Sequence, residues 1–491
     1  MPLSTASDPD RTDVAAPAPV PLAARLGDAL QAAGVKACQW KGHGKYARWM
    51  TGDGDIDLLI DRRSADAFTE VLDRLGFKLA LSAPDRQVPG VVSYLGLDPI
   101  FGRLIHVHAH FRLVLGPSGT KHYHIGIENA VLATAVQRVH FRTPSPEFEL
   151  ILFVLQQTLR HTPLSGNDDG SIARQRMQQE LQRLVLQVEP RAVVRTLTEY
   201  LPEVEPAFFA DCLDALRPGQ KPWRLATARL GMARRLSAHA LSPNTTSVLG
   251  RAVAKLGRML GIDGAGTGKQ LARGGAVIAL QGADGSGKST CARLLEGWLS
   301  PDLKASRVHL GRPPRSLTTR FVGGLLKAAR AIDRMRRVKR PSDLVNHLEL
   351  VRVACTARDR YRLYRRVARR AAAGALVICE RYPTPENAQL AGPSHCQGVG
   401  LDAESSLATW VRHQEARWYK LIARPDLELV LRVDPETAVR RKTDEPEDYV
   451  RRRAHIMWNT DWSAPRIRVL DAGRPLESVA AELRARIWEA L

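Results

Sequence analysis

The sequence predicts an α/β protein whose C-terminal half is a parallel sheet flanked by helices. Apolar runs at 277–280, 375–379 and 427–431 are typical of buried strands. Helical patterns at 291–299 and 344–373 separate these runs, and strands that alternate with helices favour a parallel sheet. In front of this half, the sequence predicts a smaller α+β domain followed by a helical connector.

A glycine-rich loop joins the first C-terminal strand to its helix. Residues 282–289 fit G-x-x-x-x-G-K-[ST] in the strand–loop–helix context that this motif requires. Glycines let backbone N–H groups wrap phosphate oxygens, and the helix N-terminus adds positive potential. The motif predicts a nucleoside triphosphate with Mg²⁺. The residues expected to bind them are Gly282, Gly285, Ser286, Gly287, Lys288, Ser289 and Thr290.

Composition and net charge place only loose limits on the function. The chain has 491 residues, 44% of them hydrophobic and 25% charged, so about three domains with sizeable cores are expected. The net charge is +21, and residues 271–491 hold 40 Lys and Arg against 25 Asp and Glu. This excess fits anionic substrates, nucleic acid or a membrane surface, or simply an arginine-rich proteome. Few aromatic residues stand among the arginines of 330–370, so a nucleic-acid partner is not clearly indicated.

The cysteines and the apolar runs bear on the compartment. The six cysteines are scattered without a C-x-x-C pair, which argues against a zinc site or a disulfide framework and predicts a reducing compartment. No apolar run approaches the ~20 residues of a membrane span, and the N-terminus lacks the apolar core of a signal peptide. We expect a soluble, cytoplasmic protein and leave peripheral membrane contact open.

A pair of carboxylates marks the N-terminal region. Residues 1–21 are rich in Pro, Ala, Ser and Asp and predict a disordered tail, and a helix is expected at 22–33. Asp55 and Asp57 then open an apolar run of strand type, and a helix is expected from Ser64 as its N-cap. Residues two apart on a strand point to the same face, so both carboxylates can serve one divalent metal ion.

Residues 22–165 resemble the nucleotidyltransferase fold of the polymerase-β superfamily. The matching segments are Lys41-Gly42, 55–60, 75–77, 110–113 and 145–150. The family usually carries a third carboxylate where this chain has His108, the middle residue of His106-Val107-His108-Ala109-His110. Alternation on a strand would place these three histidines on one face. Two interpretations stay open, an active metal site and a degenerate or ligand-binding domain.

Residues 166–270 predict a helical connector that ends in a linker. The pattern from 171 to about 261 is mostly helical and rich in arginine, with prolines that interrupt it. Residues 264–269 repeat part of the phosphate-loop motif. No strand precedes them, and Gln270 stands where the motif needs Ser or Thr, so we expect a flexible linker there.

Residues 271–491 resemble the thymidylate kinase family of nucleoside-monophosphate kinases. The matching segments, in chain order, are the phosphate loop with its acidic Asp284, Asp359-Arg360, Glu380-Arg381-Tyr382 and 470–479. On the donor side, the resemblance implies that Lys288 and Ser289 hold ATP and Mg²⁺. It also implies that Asp284 and Glu380 orient the metal or the acceptor. Glu380 ends an apolar strand, the usual position of a carboxylate near the metal of a phosphate loop.

The resemblance implies further roles on the acceptor side. Arg360 and Arg381 would clamp the acceptor phosphate. Some relatives carry an arginine where this chain has Gly285, and those that lack it place catalytic arginines on a mobile lid. The expected position of that lid holds Arg440, Arg441 and Lys442, and the two arginines are the predicted catalytic residues. The resemblance also implies a homodimer.

The leading prediction is an ATP-dependent kinase that transfers the γ-phosphoryl group to a small acceptor, such as dTMP or another nucleotide. The residues after Tyr382 and a basic insertion at 312–340 depart from the family pattern, which leaves the acceptor open and keeps sugar-type molecules among the candidates. Two alternatives remain. One is a bifunctional nucleotidyltransferase–kinase of envelope polysaccharide metabolism, and the other is a non-enzymatic, nucleotide-responsive binding protein.

Overall fold

The structure is a computed structural model. It describes residues 20–42, 48, 50–84, 87–116, 123–160, 170–241, 268–337, 341–393 and 406–491. Nearly all of the predicted N-terminal tail and most of the predicted linker therefore lie outside the described residues.

A six-stranded mixed sheet forms the N-terminal part. Its first five strands are β1 (Ala37–Lys41), β2 (Ile56–Ile60), β3 (Lys78–Leu81), β4 (Val91–Asp98) and β5 (Arg103–His110). Two short hairpins follow, β6 (Leu113–Leu115) with β7 (Tyr123–Ile125) and β8 (Val136–Gln137) with β9 (Arg142–Thr143). The sixth strand, β10 (Gln270–Leu271), completes the order β1-β2-β5-β4-β3-β10. Only the β2–β5 pair is parallel among these neighbours.

Two helices cover one face of this sheet, α1 (Leu22–Ala32) and α2 (Ala65–Arg74). Phe68 and Leu72 of α2 pack against the inward-facing side chains of β2 and β5. Ser64 occupies the N-cap position of α2, as predicted, but its side chain makes no capping bond to the helix. Residues 62–64 form a 3₁₀ turn whose cap is Asp61, and the Ser64 hydroxyl accepts a bond from the N–H of Lys36 instead. The Asp61 carboxylate starts the helical turn earlier than the pattern suggested.

A bundle of helices covers the opposite face. These are α3 (Glu128–Ala133), α4 (Pro146–Arg160), α5 (Gly170–Leu186), α6 (Pro190–Tyr200), α7 (Pro206–Ala215) and α8 (Pro222–Arg235). Helices α6 to α8 each begin with proline. Proline suits the first helical turn, because backbone N–H groups in that turn have no partner within the helix and the missing N–H of proline costs no hydrogen bond. Trp40 and Leu59 of the sheet belong to the same core as Leu155, Leu197 and Met232 of the bundle.

The C-terminal sheet has five parallel strands in the order β12-β13-β11-β14-β15. The strands are β11 (Ala276–Gly282), β12 (Ala305–His309), β13 (Leu376–Glu380), β14 (Leu427–Arg432) and β15 (Ile467–Asp471). The helices are α9 (Lys288–Leu299), α10 (Leu317–Met335), α11 (Asp343–Ala372), α12 (Ala388–Ala391), α13 (Ser406–Lys420), α14 (Pro435–Arg441), α15 (Glu447–Asn459) and α16 (Leu476–Ala490). The predicted parallel α/β fold is confirmed, and β11 lies at its centre.

The two sheets meet through backbone and side-chain contacts. Leu271 of β10 pairs with Ala80 of β3, and both side chains belong to the hydrophobic core of the C-terminal sheet. The Trp488 indole N–H of α16 donates to the Gly76 carbonyl at 3.0 Å. The predicted linker thus ends in a strand, because its last backbone groups find partners on β3. None of the described helices has the length and apolar content needed to cross a membrane.

Candidate functional site

The phosphate loop connects β11 to α9, and two of its glycines are required for different reasons. Gly285 has a φ of +84°, and a Cβ there would lie 2.4 Å from the Ala438 carbonyl oxygen of α14. The neighbouring backbone therefore leaves no room for a side chain at 285, including the arginine that some relatives carry. Gly287 also has a φ of +84° and forms the N-cap of α9, but a Cβ there would meet open space.

The loop holds polar groups suited to a phosphate chain. The Ser286 hydroxyl is buried and has no hydrogen-bond partner among the described residues. The ammonium group of Lys288 is also buried and donates to the Ala283 carbonyl at 2.5 Å. Burial lowers the pKa of Lys288 to about 8, although Asp284 opposes this change. Lys288 Nζ also lies 3.9 Å from Asp284 Oδ1, and a buried donor with one hydrogen bond and this ion pair is ready to exchange the carbonyl for phosphate oxygens.

Two oxygen ligands meet beside the loop. The Ser289 hydroxyl, in the first turn of α9, donates to Glu380 Oε2 at 2.5 Å. Glu380 is the last residue of β13, and the register places it opposite Leu280 of β11, at the carboxyl edge of the sheet. Arg307 lies 3.5 Å from the second carboxylate oxygen. A hydroxyl and a carboxylate at this edge form the donor set that phosphate-loop enzymes use for Mg²⁺.

Asp284 forms ion pairs with two arginines beside the phosphate loop. Arg381 Nη2 lies 2.5 Å from Asp284 Oδ1, and Arg453 Nε lies 2.9 Å from Asp284 Oδ2. Burial would raise the pKa of Asp284, but Lys288 and the two arginines outweigh it, so this pKa is lowered. Arg381 has a φ of +52°, an uncommon backbone conformation for a residue with a side chain. Such strain is typical of residues held in place for function.

The sequence pattern did not single out Arg453 of α15 as a site residue. The signal was present as the run Arg451-Arg452-Arg453, but three consecutive helical residues point in three directions. Arg451 pairs with Glu436, Arg452 is exposed, and only Arg453 faces the phosphate loop, with 14% of its side chain exposed.

The two arginines predicted for the lid bond elsewhere in this structure. Arg441 donates to the carbonyls of Ala472 and Gly473, in the loop that follows β15. Arg440 donates to the hydroxyl of Thr437, one turn earlier in α14. Neither forms an ion pair with the phosphate loop among the described contacts. A catalytic role for these two side chains requires a change of rotamer.

Arg360, which was predicted to clamp the acceptor phosphate, binds backbone carbonyls in this structure. Its guanidinium donates to the Leu310 carbonyl at 3.0 Å and reaches the Gly311 carbonyl at 3.5 Å, and it lies over the ring of Tyr419. Burial lowers the pKa of Arg360 to about 10. A Cβ on Gly311 would come within 2.9 Å of Arg381, so Arg360 and Arg381 both contact this glycine.

A buried polar network supports the strand ends. Gln281 of β11 donates to the Tyr382 carbonyl at 2.6 Å and to Glu428 of β14 at 3.0 Å. Thr384 donates to Glu428, and Asn387 donates to Gln281. This network fixes the segment that follows Glu380. Its sequence signal is a glutamine and a glutamate inside two otherwise apolar strands.

The two aspartates of the N-terminal sheet both approach His108 Nδ1, Asp55 at 3.8 Å and Asp57 at 3.3 Å. Asp57 Oδ1 lies 2.9 Å from Lys41 Nζ, 3.3 Å from His108 Nδ1 and 3.1 Å from His110 Nε2. Asp55 Oδ1 lies 2.9 Å from His106 Nδ1. Burial would raise the pKa of Asp57, but Lys41 and the bonds from the two histidines hold it well below its usual value.

Comparisons with known proteins bear on part of the chain. The chain is 30% identical over 226 residues to the thymidylate kinase of Leifsonia xyli subsp. xyli (strain CTCB07), which covers 44% of this chain and 95% of that protein. It is 25% identical over 221 residues to YghR of Escherichia coli (strain K12), described as an uncharacterized ATP-binding protein, across 43% of this chain and 86% of YghR.

The solved structure of the thymidylate kinase from Candida albicans is also similar, with 21% identity over 44% of this chain and 92% of that one. Its TM-score is 0.29. No protein-family model matches the chain. The resemblance of residues 22–165 to nucleotidyltransferases stays a prediction. Through the 44% of its length that aligns with the Leifsonia enzyme, the chain belongs to the thymidylate kinase family.

Proposed function

We propose that the chain is an ATP-dependent phosphotransferase that transfers the γ-phosphoryl group to a nucleoside monophosphate. One observation carries the proposal. The Ser289–Glu380 pair and the Arg381–Asp284–Arg453 cluster meet at one edge of the parallel sheet, around the phosphate loop. This arrangement supplies metal ligands and cations where phosphoryl transfer needs them.

The donor half of the mechanism uses the loop and its neighbours. Lys288 would leave the Ala283 carbonyl for the β- and γ-phosphates, and the backbone of 283–287 would hold the remaining phosphate oxygens. Ser289 and Glu380 would hold Mg²⁺, which neutralises charge on the β- and γ-phosphates when bound. Buried Ser286 would gain the hydrogen-bond partner that it lacks among the described residues.

The cations for the transferred group would come from Arg381 and Arg453. Both bond to Asp284 in this structure, so the carboxylate keeps the two guanidinium groups beside the loop. Phosphoryl transfer depends on positioning and on neutralising developing charge, and one such arginine contributes roughly 10³-fold or more in other enzymes. Arg440 and Arg441 remain proposals for a lid that closes over the phosphates.

The acceptor side favours a molecule that carries an aromatic base. Between ring centroids, Tyr361 lies 5.3 Å from Trp418 and 6.2 Å from Tyr364, and Tyr419 lies against the Arg360 guanidinium; all four rings are partly exposed. Rings at such a site stack on a base, and Arg360 and Arg381 would serve its phosphate. This supports dTMP or another nucleotide over a sugar-type acceptor.

The test is phosphoryl transfer by the full chain from labelled ATP to a panel of nucleoside monophosphates and sugar phosphates. We expect turnover with one or more nucleotides, and Arg453→Ala should lower kcat by roughly 10²-fold or more. Arg452→Ala is the matched control, because it removes an exposed arginine from the same helix. ATP binding without transfer to any member of the panel would instead indicate a nucleotide-responsive binding protein.

Nucleotide transfer by the N-terminal domain is a second candidate. The observation that favours it is the common orientation of Asp55 and Asp57 next to Lys41. If the domain is active, Asp57→Ala abolishes metal-dependent nucleotide transfer and leaves the kinase reaction intact. Activity that survives Asp57→Ala unchanged would rule out this role for the aspartates.

We also propose that the chain forms a homodimer, which the family resemblance implies. One surface supports this. Helix α10 carries an exposed apolar stripe, which consists of Leu317, Phe321, Leu325, Ile332 and Met335 and is called the α10 stripe below. Apolar stripes of this size are usually covered by a partner, and a twofold axis lets one surface cover its own copy.

A further inference from the structure

Five metal-ligating side chains lie together on one face of the N-terminal sheet. They are Asp55, Asp57, His106, His108 and His110. Strands β2 and β5 are parallel neighbours, with Asp57 opposite His108. Alternate residues of both strands therefore project from the same face, and the other face is covered by α1 and α2.

The ligand atoms form two overlapping groups of three. Asp55, His106 and His108 form one group, and Asp57, His108 and His110 form the other. Within each group all ligand atoms lie within 4.8 Å of one another. His108 belongs to both groups, so an ion beside it can draw on either carboxylate. Trp40 packs edge-on against His110, with ring centroids 5.1 Å apart, and this contact fixes the imidazole orientation.

A second observation is independent of the clustering. His106 is nearly fully buried, and its Nε2 has no hydrogen-bond partner among the described residues. A buried polar nitrogen without a partner is costly in a purely structural role. Its presence beside two carboxylates and two further imidazoles indicates a face built to bind something.

The chemistry of the donors selects the ion. Mg²⁺ and Ca²⁺ prefer sites made of oxygen ligands, whereas imidazole suits Zn²⁺, Co²⁺ and Ni²⁺. Three imidazoles and two carboxylates form the mixed set typical of these later ions. Lys41 is paired with Asp57 at 2.9 Å, and a bound ion would take over that carboxylate.

We propose that this face binds one divalent transition-metal ion of the Zn²⁺ or Co²⁺ class, with His108 as the central ligand. The site borders the C-terminal domain, because Lys269 and Asp302 lie close enough to interact electrostatically with Asp55 and His106. An ion held here would therefore stabilise the junction of the two sheets. The proposal does not depend on the kinase function.

Metal binding to the untagged full chain tests the proposal. After chelation and desalting, Co²⁺ is titrated while visible absorption is recorded, and Zn²⁺ binding is measured by calorimetry. We expect one ion per chain, d–d bands of a site with nitrogen and oxygen ligands, and a higher melting temperature with metal. His108→Ala should weaken binding by at least about tenfold. His140→Ala is the control, because it removes a histidine from another His–Asp pair, His140–Asp28.

His108→Asp keeps the proposal testable if the alanine variant does not fold. Replacing the central imidazole with a carboxylate should weaken Co²⁺ and Zn²⁺ binding relative to Mn²⁺ and Mg²⁺. Failure of the parent chain to bind either transition metal would overturn the proposal. So would Co²⁺ affinity and spectra that are the same in the parent, His108→Ala and His108→Asp.

Discussion

Lys288 links nucleotide binding to pH at the scale of a single residue. Burial lowers the pKa of its ammonium group to about 8 in the ligand-free chain. Phosphate oxygens favour the charged form and raise that pKa, so binding above pH 8 takes up a proton. ATP affinity should therefore fall by up to about tenfold per pH unit above 8.

Calorimetry at pH 7 and pH 9, in buffers with different ionisation heats, measures this proton uptake. Lys288→Arg keeps the charge at both values, so its affinity should change much less with pH. A parent chain whose ATP affinity is equal at pH 7 and pH 9 would contradict the assigned role of Lys288.

Gly285 is a second residue whose geometry makes a direct prediction. Its Cβ would lie 2.4 Å from the Ala438 carbonyl, and its φ is positive. Gly285→Ala should weaken ATP binding by about tenfold or more, because the loop or α14 must move. Gly297→Ala provides the control, since Gly297 lies inside α9 with no atom near its Cβ position and alanine should stabilise the helix there. ATP affinity and melting temperature are measured for both variants. Equal ATP affinities would show that the close approach to Ala438 does not matter for ATP binding.

Single residues also show how far the sequence predicts the site. The spacing of the phosphate loop predicted where Lys288 and Ser289 lie, in the first turn of α9, because the motif implies a loop followed by a helix. Arg453 could not be identified, because its direction depends on how α15 packs against Asp284, 169 positions earlier in the chain. Local patterns identify local geometry, whereas a side chain that arrives from a distant helix is fixed only by tertiary packing.

Strand β14 gives a prediction at the scale of one element. Burial raises the pKa of Glu428 above its ordinary value of 4.5, although bonds from Thr384 and Gln281 oppose the shift. Because the pKa of Glu428 is higher in the folded chain than in the unfolded chain, its protonated form stabilises the fold fully below the pKa of the unfolded chain. This contribution is lost as pH rises through the pKa of the folded chain. Glu428→Gln keeps an acceptor for both bonds without a charge. Its melting temperature should exceed that of the parent by roughly 2 °C or more at pH 8, with a smaller difference near pH 4.5.

Glu436→Gln is the control for this measurement, because Glu436 is exposed and bonds to Arg451 on the surface. It should change the melting temperature little at either pH. A Glu428→Gln variant that is less stable than the parent at pH 8 would show that the network requires the charge.

The same element shows why sheet order matters for prediction. The apolar runs predicted the C-terminal strands from the sequence. The few polar residues inside these strands gave no indication of a network. Gln281 and Glu428 become partners because β14 lies directly beside β11. Strand order depends on how the crossing helices pack, so it cannot be predicted from the periodicity within one strand.

The α10 stripe leads to a prediction for the whole molecule. Phe321 is 68% exposed and is the one aromatic residue of the stripe. Phe321→Glu should convert a dimer to a monomer, because it buries a charge at the proposed interface. Sedimentation or light scattering across a concentration series measures the change. Leu186→Glu alters an exposed leucine of α5 and should leave the assembly unchanged. A parent chain that is monomeric at every concentration would exclude the homodimer.

Strand β10 has a consequence for dividing this protein into parts. Only residues 272–275 separate it from β11, the strand that carries the phosphate loop. A cut before β10 would leave β3 of the N-terminal half with an unpaired edge, and such edges promote aggregation. The C-terminal half would then carry β10 with no sheet to join. A cut between β10 and β11 keeps this strand pair together but separates Leu271 and Ala80 from the hydrophobic core of the C-terminal sheet, so either half expressed alone loses contacts that the full chain provides.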